Sequence, residues 1–150
     1  FRATADREMT GPTTGLRAPN RIVSVWKGAQ SFDAGKPGGA ATRVDGHGKT
    51  GMGPMDSLLS ALVFCEENTV YEILKKKRMP ATSLEVEVIG SRANAVPSKL
   101  THVLLYFRIS GEGIDREQAL RSIELSVTKY CSVRDSLDPK IPVEWELELK

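Results

Sequence analysis

One stretch constrains this chain more than any other: PMDSLLSALVFCEENTVYEILKKKR, from Pro54 to Arg78. Apolar residues recur in it at steps of three and four (Met55, Leu58, Leu59, Leu62, Val63, then Val70, Ile73, Leu74). That is the period of a helix with one broad buried face. Pro54 suits the first turn, where a missing N–H costs nothing, and Asp56 sits where the helix dipole favours an anion. Lys75, Lys76, Lys77 and Arg78 complement the negative end, and Pro80 prevents continuation. The basic cluster therefore reads as a solvated helix end rather than an anion site. At about 1.5 Å per residue the helix runs on the order of 37 Å, as long as a domain of this size is wide, so it must cross the middle. Cys65 falls near its midpoint, mostly enclosed, and inert packing is the plain reading of an enclosed thiol.

The whole chain of 150 residues supplies apolar material for one core, being 40% hydrophobic and 27% charged. Its formal charge of +2 is too near balance to imply a nucleic-acid or membrane partner. No apolar run is long enough to span a bilayer, because Glu66, Glu67 and Asn68 break the most apolar one. Two widely separated cysteines fit a reducing cytosol better than a disulfide-dense secreted scaffold. The expected location is cytoplasmic.

Residues 1–20 are rich in Thr, Gly, Pro and charge without a sustained period, and read as an arm, flexible or borrowed by another subunit. Residues 21–150 read as a single domain. Arg21–Trp26 has a strand signal, and a second short strand follows near Ala40–Val44. Seven glycines between Gly35 and Gly53 indicate an irregular surface loop leading into the helix. Gly48-Lys49-Thr50 within it is not a phosphate loop: Arg43 stands where the motif needs Gly, and the helix begins only at Pro54.

Leu84–Gly90 alternates apolar and acidic residues, and Leu100–Ser110 puts Val103, Leu105, Phe107 and Ile109 on one face. The two pair as a hairpin through Ala93–Ser98. Asp115, with Gln118 three residues on, heads a second helix whose stripe is Ala119, Leu120, Ile123 and Val127 and which ends near Tyr130 and Cys131. A short helical turn follows from Ser132, with Asp135 completing a cap pattern. Val143–Leu149 closes the sheet. The fold class is α+β: helices against one face of a mainly antiparallel sheet. So apolar a central helix needs cover beyond that sheet, and a second copy of the chain would supply it in a symmetric homodimer.

His47 and His102 lack zinc-site spacing to each other or to a cysteine, so no metal is expected, and no motif calls for a cofactor. No nucleophile elbow supports serine hydrolysis. The thiols are left. Cys131 lies in KYCSVRDSL, where Lys129, Arg134 and the start of a helical turn favour a thiolate. A thiolate that attacks an O–O bond becomes a sulfenic acid, which a second cysteine resolves to a disulfide.

The residues GMGPMDSLLSALVFC (51–65) followed by TVYEILKKKR resemble the first signature of the OsmC/Ohr family of organic-hydroperoxide-detoxifying proteins. SIELSVTKYCSVRDSL (122–137) resembles the second, and the likeness runs from about Arg21 to the C-terminus. The resemblance implies an OsmC-like fold in an intertwined homodimer, with each long helix at the interface and active sites built from both subunits. It implies that Cys65 attacks the hydroperoxide, that Cys131 resolves it, and that an external dithiol, a lipoyl protein in some members, reduces the disulfide. Hydroperoxide-reducing members carry a Glu directly after the helix-starting Pro, paired with an Arg from an N-terminal loop. Here Met55 follows Pro54, and Asp56, Lys27 and Arg43 are the residues available in place of that pair. The competing reading is a non-enzymatic dimer of this fold that binds a small apolar ligand and has unreactive thiols.

Overall fold

The computed structural model describes residues 17–150, so most of the arm expected over residues 1–20 lies outside the described residues. The chain divides into two compact units, one ending at Ser57 and the other running from Leu58 to Lys150.

The first unit holds a three-stranded antiparallel sheet, β1 (Val23–Gly28), β2 (Ser31–Gly35) and β3 (Ala41–Asp45), with β2 in the centre. The strand over Ser31–Gly35 is not anticipated by the sequence. SFDAG has a single large apolar side chain, and it becomes a strand because neighbours on both sides satisfy its backbone. The tight β1–β2 turn puts Gly28 and Ala29 at positive φ, 106° and 47°, and the Trp26 indole N–H donates to the Ala29 carbonyl at 2.8 Å. After β3 the chain folds round the Asp45 carboxylate, which accepts from the His47 N–H at 2.8 Å, the Thr50 N–H at 3.0 Å and the Thr50 hydroxyl at 2.8 Å. Gly48-Lys49-Thr50 thus encloses a carboxylate of its own chain. These bonds, led by that from the His47 N–H, hold the Asp45 carboxyl down at about 2.

Helix α1 (Pro54–Lys76) begins in the first unit, where the Gly53 N–H donates to the Asp56 carboxylate at 3.0 Å. It ends in a Schellman arrangement: the Arg78 N–H reaches the Lys75 carbonyl, the Met79 N–H reaches that of Leu74, and Arg78 takes a left-handed φ of 60°.

In the second unit, β4 (Ser83–Arg92), β5 (Leu100–Ser110) and β6 (Val143–Leu149) form a sheet with β5 central. β4 pairs antiparallel and β6 parallel, so the strands form two sheets, the second of them mixed. Val103, Leu105, Phe107 and Ile109 are buried, as their alternation predicts. Arg108 points to the other face, bonding Glu85 at 2.8 Å and Glu87 at 3.1 Å across the hairpin. α1 meets this sheet closely at Gly90, where a Cβ would stand 2.9 Å from the Leu59 side chain.

Helix α2 (Arg116–Leu125) starts as its capping pattern predicts, with the Asp115 carboxylate accepting from the Gln118 N–H at 2.9 Å. It continues into a single π-helical turn, Ser126–Tyr130, and then a short helix α3 (Ser132–Asp135). Cys131 rather than Ser132 caps α3: its sulfur accepts from the Arg134 N–H at 3.3 Å. Lys77 also departs from the solvated reading of the basic cluster. Its ammonium donates to the Gln118 side-chain oxygen at 2.9 Å and the Ser122 hydroxyl at 3.2 Å, fastening α1 to α2.

Candidate functional site

The buried face of α1 in the second unit is the stripe Leu62, Val63, Glu66, Val70 and Leu74. Every fourth position from Leu62 to Leu74 faces the core, and at one of them stands a carboxylic acid. Glu66 has no exposed surface. Its neighbour Cys65, rotated by about 100°, is half-buried.

The π turn brings the other half of the site. The Cys131 N–H donates to the Ser126 carbonyl, five residues back, at 2.9 Å. In a regular α-helix a residue five positions on lies about 140° round the axis; the wider turn returns it toward the same side. Ser126 and Cys131 therefore both face α1. The Ser126 hydroxyl donates to Glu66 Oε2, and the Cys131 thiol meets both the Glu66 carboxyl and the Cys65 thiol. Both cysteines are unbridged. The structure thus brings together the two sulfurs singled out in the sequence and adds an acid that the sequence reading treats only as an interruption of an apolar run. Its spacing, four residues from Leu62 and four from Val70, was the signal.

Burial dominates the electrostatics. It pushes the Cys131 thiol well above the ordinary cysteine range, reinforced by the Cys65 thiol and the Glu66 carboxyl and opposed only by the Arg134 N–H. The thiolate expected from Lys129 and Arg134 is not what this setting favours. The Arg134 guanidinium instead donates to backbone carbonyls of the following loop, at 2.9 Å to Ile141 and 3.4 Å to Asp138. Burial likewise raises the Glu66 carboxyl, with hydrogen bonds from Ser126 and Cys131 and the charge of Arg134 acting the other way.

A cleft of about 570 Å³ opens beside Cys131, lined among others by Val127, Arg134, Leu137, Ile141 and Trp145. Of the residues available in place of the missing Glu–Arg pair, Asp56 caps the start of α1 and Arg43 bonds Asp33 at 2.5 Å. Lys27 adds its charge near Asp33. The His102 Nε2 pairs with Glu144 Oε2 at 2.6 Å between β5 and β6, and the His47 N–H belongs to the Asp45 loop.

Residues 46–146 match the family profile described as OsmC-like protein. The chain belongs to the OsmC-like family. Protein YhfA of Escherichia coli K12 is 28% identical over 125 residues, 83% of this chain and 93% of YhfA. Among solved structures, an OsmC-like protein from Mycoplasma pneumoniae superposes with a TM-score of 0.77 at 21% identity, over 89% of this chain and 99% of that one. The organic hydroperoxide resistance protein OhrB of Bacillus subtilis does so with a TM-score of 0.60 at 14% identity, over 85% and 96%. The fold of this OsmC-like protein is thereby that of the family, in agreement with the two signatures. No helix among the described residues is long and apolar enough to cross a membrane.

Proposed function

We propose that this OsmC-like protein is a thiol-dependent hydroperoxide reductase. The Cys65 thiolate attacks one oxygen of ROOH, forming an S–O bond and breaking the O–O bond. The alcohol ROH leaves after taking a proton, and Cys65 becomes a sulfenic acid. Cys131 condenses with it, releasing water and forming the Cys65–Cys131 disulfide, which an external dithiol, such as a lipoyl protein, reduces by exchange. The observation that carries this reading is the meeting of the two thiols in one core, with a cleft beside Cys131. Family membership and likeness to a hydroperoxide resistance protein support it further.

The active form on this reading is a cytoplasmic homodimer. Ala61, Phe64, Asn68, Tyr71 and Lys75 form an exposed line along α1, with Phe64 64% and Tyr71 39% exposed. A partner helix would cover them. A second reading, a ligand-binding dimer with unreactive thiols, is favoured by one observation, the burial that keeps Cys131 protonated. Intact-protein mass after one equivalent of tert-butyl hydroperoxide separates the two. The expected result is a loss of two hydrogens that Cys65→Ser abolishes; an unchanged mass with two free thiols overturns the enzymatic reading.

A further inference from the structure

Glu66 is a buried carboxylic acid in an otherwise apolar stripe, and the redox scheme above does not use it. Such a group is costly to keep unless its oxygens are satisfied. Only half of it is. Ser126 donates to Oε2, while Oε1 has no hydrogen-bond partner among the described residues. The Cys131 thiol lies against the same carboxyl group.

We propose that Glu66 is the proton acceptor for Cys131 when that thiol closes on the Cys65 sulfenic acid. The inference rests on the redox reading of the two cysteines. In the step, the Cys131 sulfur forms the S–S bond while the S–O bond of Cys65 breaks. The Cys131 proton passes to Glu66 and from there to the departing hydroxide, so that Cys65–SOH and Cys131–SH become the disulfide and one water. No further oxidant enters.

Three features support the assignment. The Cys131 thiol is held protonated by burial, so it has little thiolate of its own at neutral pH and needs a base in contact with it. Burial raises the Glu66 carboxyl above the ordinary glutamate range, which makes its carboxylate a stronger base than an exposed one. The Ser126 hydroxyl fixes Oε2, and the π turn holds Ser126 and Cys131 in fixed relation through the Cys131 N–H to Ser126 carbonyl bond. Among the described residues, the groups that act on the Glu66 carboxyl are Ser126, Cys131 and the charge of Arg134, and the Cys65 thiol meets that of Cys131.

Rapid-quench single-turnover measurement with tert-butyl hydroperoxide, using dimedone to trap sulfenic acid and intact mass to count disulfide, separates the steps. In Glu66→Gln, Cys65 sulfenic acid is expected to form at the wild-type rate within about twofold, while closure slows by about a hundredfold or more and the trapped adduct accumulates. The wild-type closure rate is expected to rise with pH as a carboxyl ionises and then level off. In Glu66→Gln that plateau is expected to vanish, the rate climbing into the alkaline range with the thiol. Closure at the wild-type rate in Glu66→Gln, or equal slowing of both steps, overturns the assignment and leaves the peroxidase reading standing. Absence of sulfenic acid and disulfide in the wild type overturns both. Should Glu66→Gln not fold, as judged by circular dichroism, the wild-type profile decides: closure that does not change from about pH 5 to about pH 9 overturns the role of a carboxyl base.

Discussion

The Ser126 hydroxyl donates to Glu66 Oε2 across sixty residues of sequence, a polar bond that ties α1 to the π turn leading to Cys131. Both residues are fully buried. Removing the donor takes a hydrogen bond from a buried carboxyl group, which costs about 1–3 kcal/mol. Ser126→Ala is therefore expected to lower the urea unfolding free energy by that amount.

Glu66 also gives stability a pH slope. Its carboxyl is raised by burial, so between the ordinary glutamate range and the raised value the native state binds a proton that the unfolded state has released. Its contribution is fully present below the ordinary range and is lost as pH rises through the folded value. Unfolding free energies measured across mildly acidic to alkaline pH should decline in the wild type, and Glu66→Gln should flatten that decline.

Asp45 has the opposite sign. Its carboxyl is held down at about 2 by the His47 and Thr50 bonds, so its contribution is complete above the ordinary aspartate range and is lost as pH falls through about 2. The His47 and Thr50 amide resonances should move with a midpoint near that value. Asp45→Ala should speed hydrogen exchange at both amides by about tenfold or more at neutral pH.

Phe64 lies 64% exposed on the outer line of α1. Placing a charge at the centre of a helix–helix contact leaves it desolvated and unpaired. Sedimentation equilibrium should find a dimer for the wild type and a monomer for Phe64→Glu; a wild-type monomer would count against the proposed assembly.

Arg78 ends α1 at a left-handed φ of 60°, a conformation that costs a side chain more than it costs glycine. Since the residue is exposed and its backbone already makes the Schellman bond, Arg78→Gly should raise the melting temperature, with a gain of about 0.5 kcal/mol.

The sequence by itself determined what depends on near neighbours. The period of α1 and its Pro54 start, the buried alternation of β5 and the Asp115 cap of α2 are all set by residues within a turn or two of each other, so they can be read in order along the chain. The two cysteines were legible as candidates for the same reason: each sits in a patterned core element. Tertiary structure decided the rest. β2 is a strand because β1 and β3 flank it, and Cys131 faces α1 because one turn is wider than an α-helix allows. Glu66 shows the division most sharply. Its place on the buried face follows from counting by fours, but its partner, its unpaired oxygen and its raised carboxyl depend on groups sixty and more residues away. Periodicity tells which way a side chain points; only the folded chain fixes what it meets and how much water is left around it.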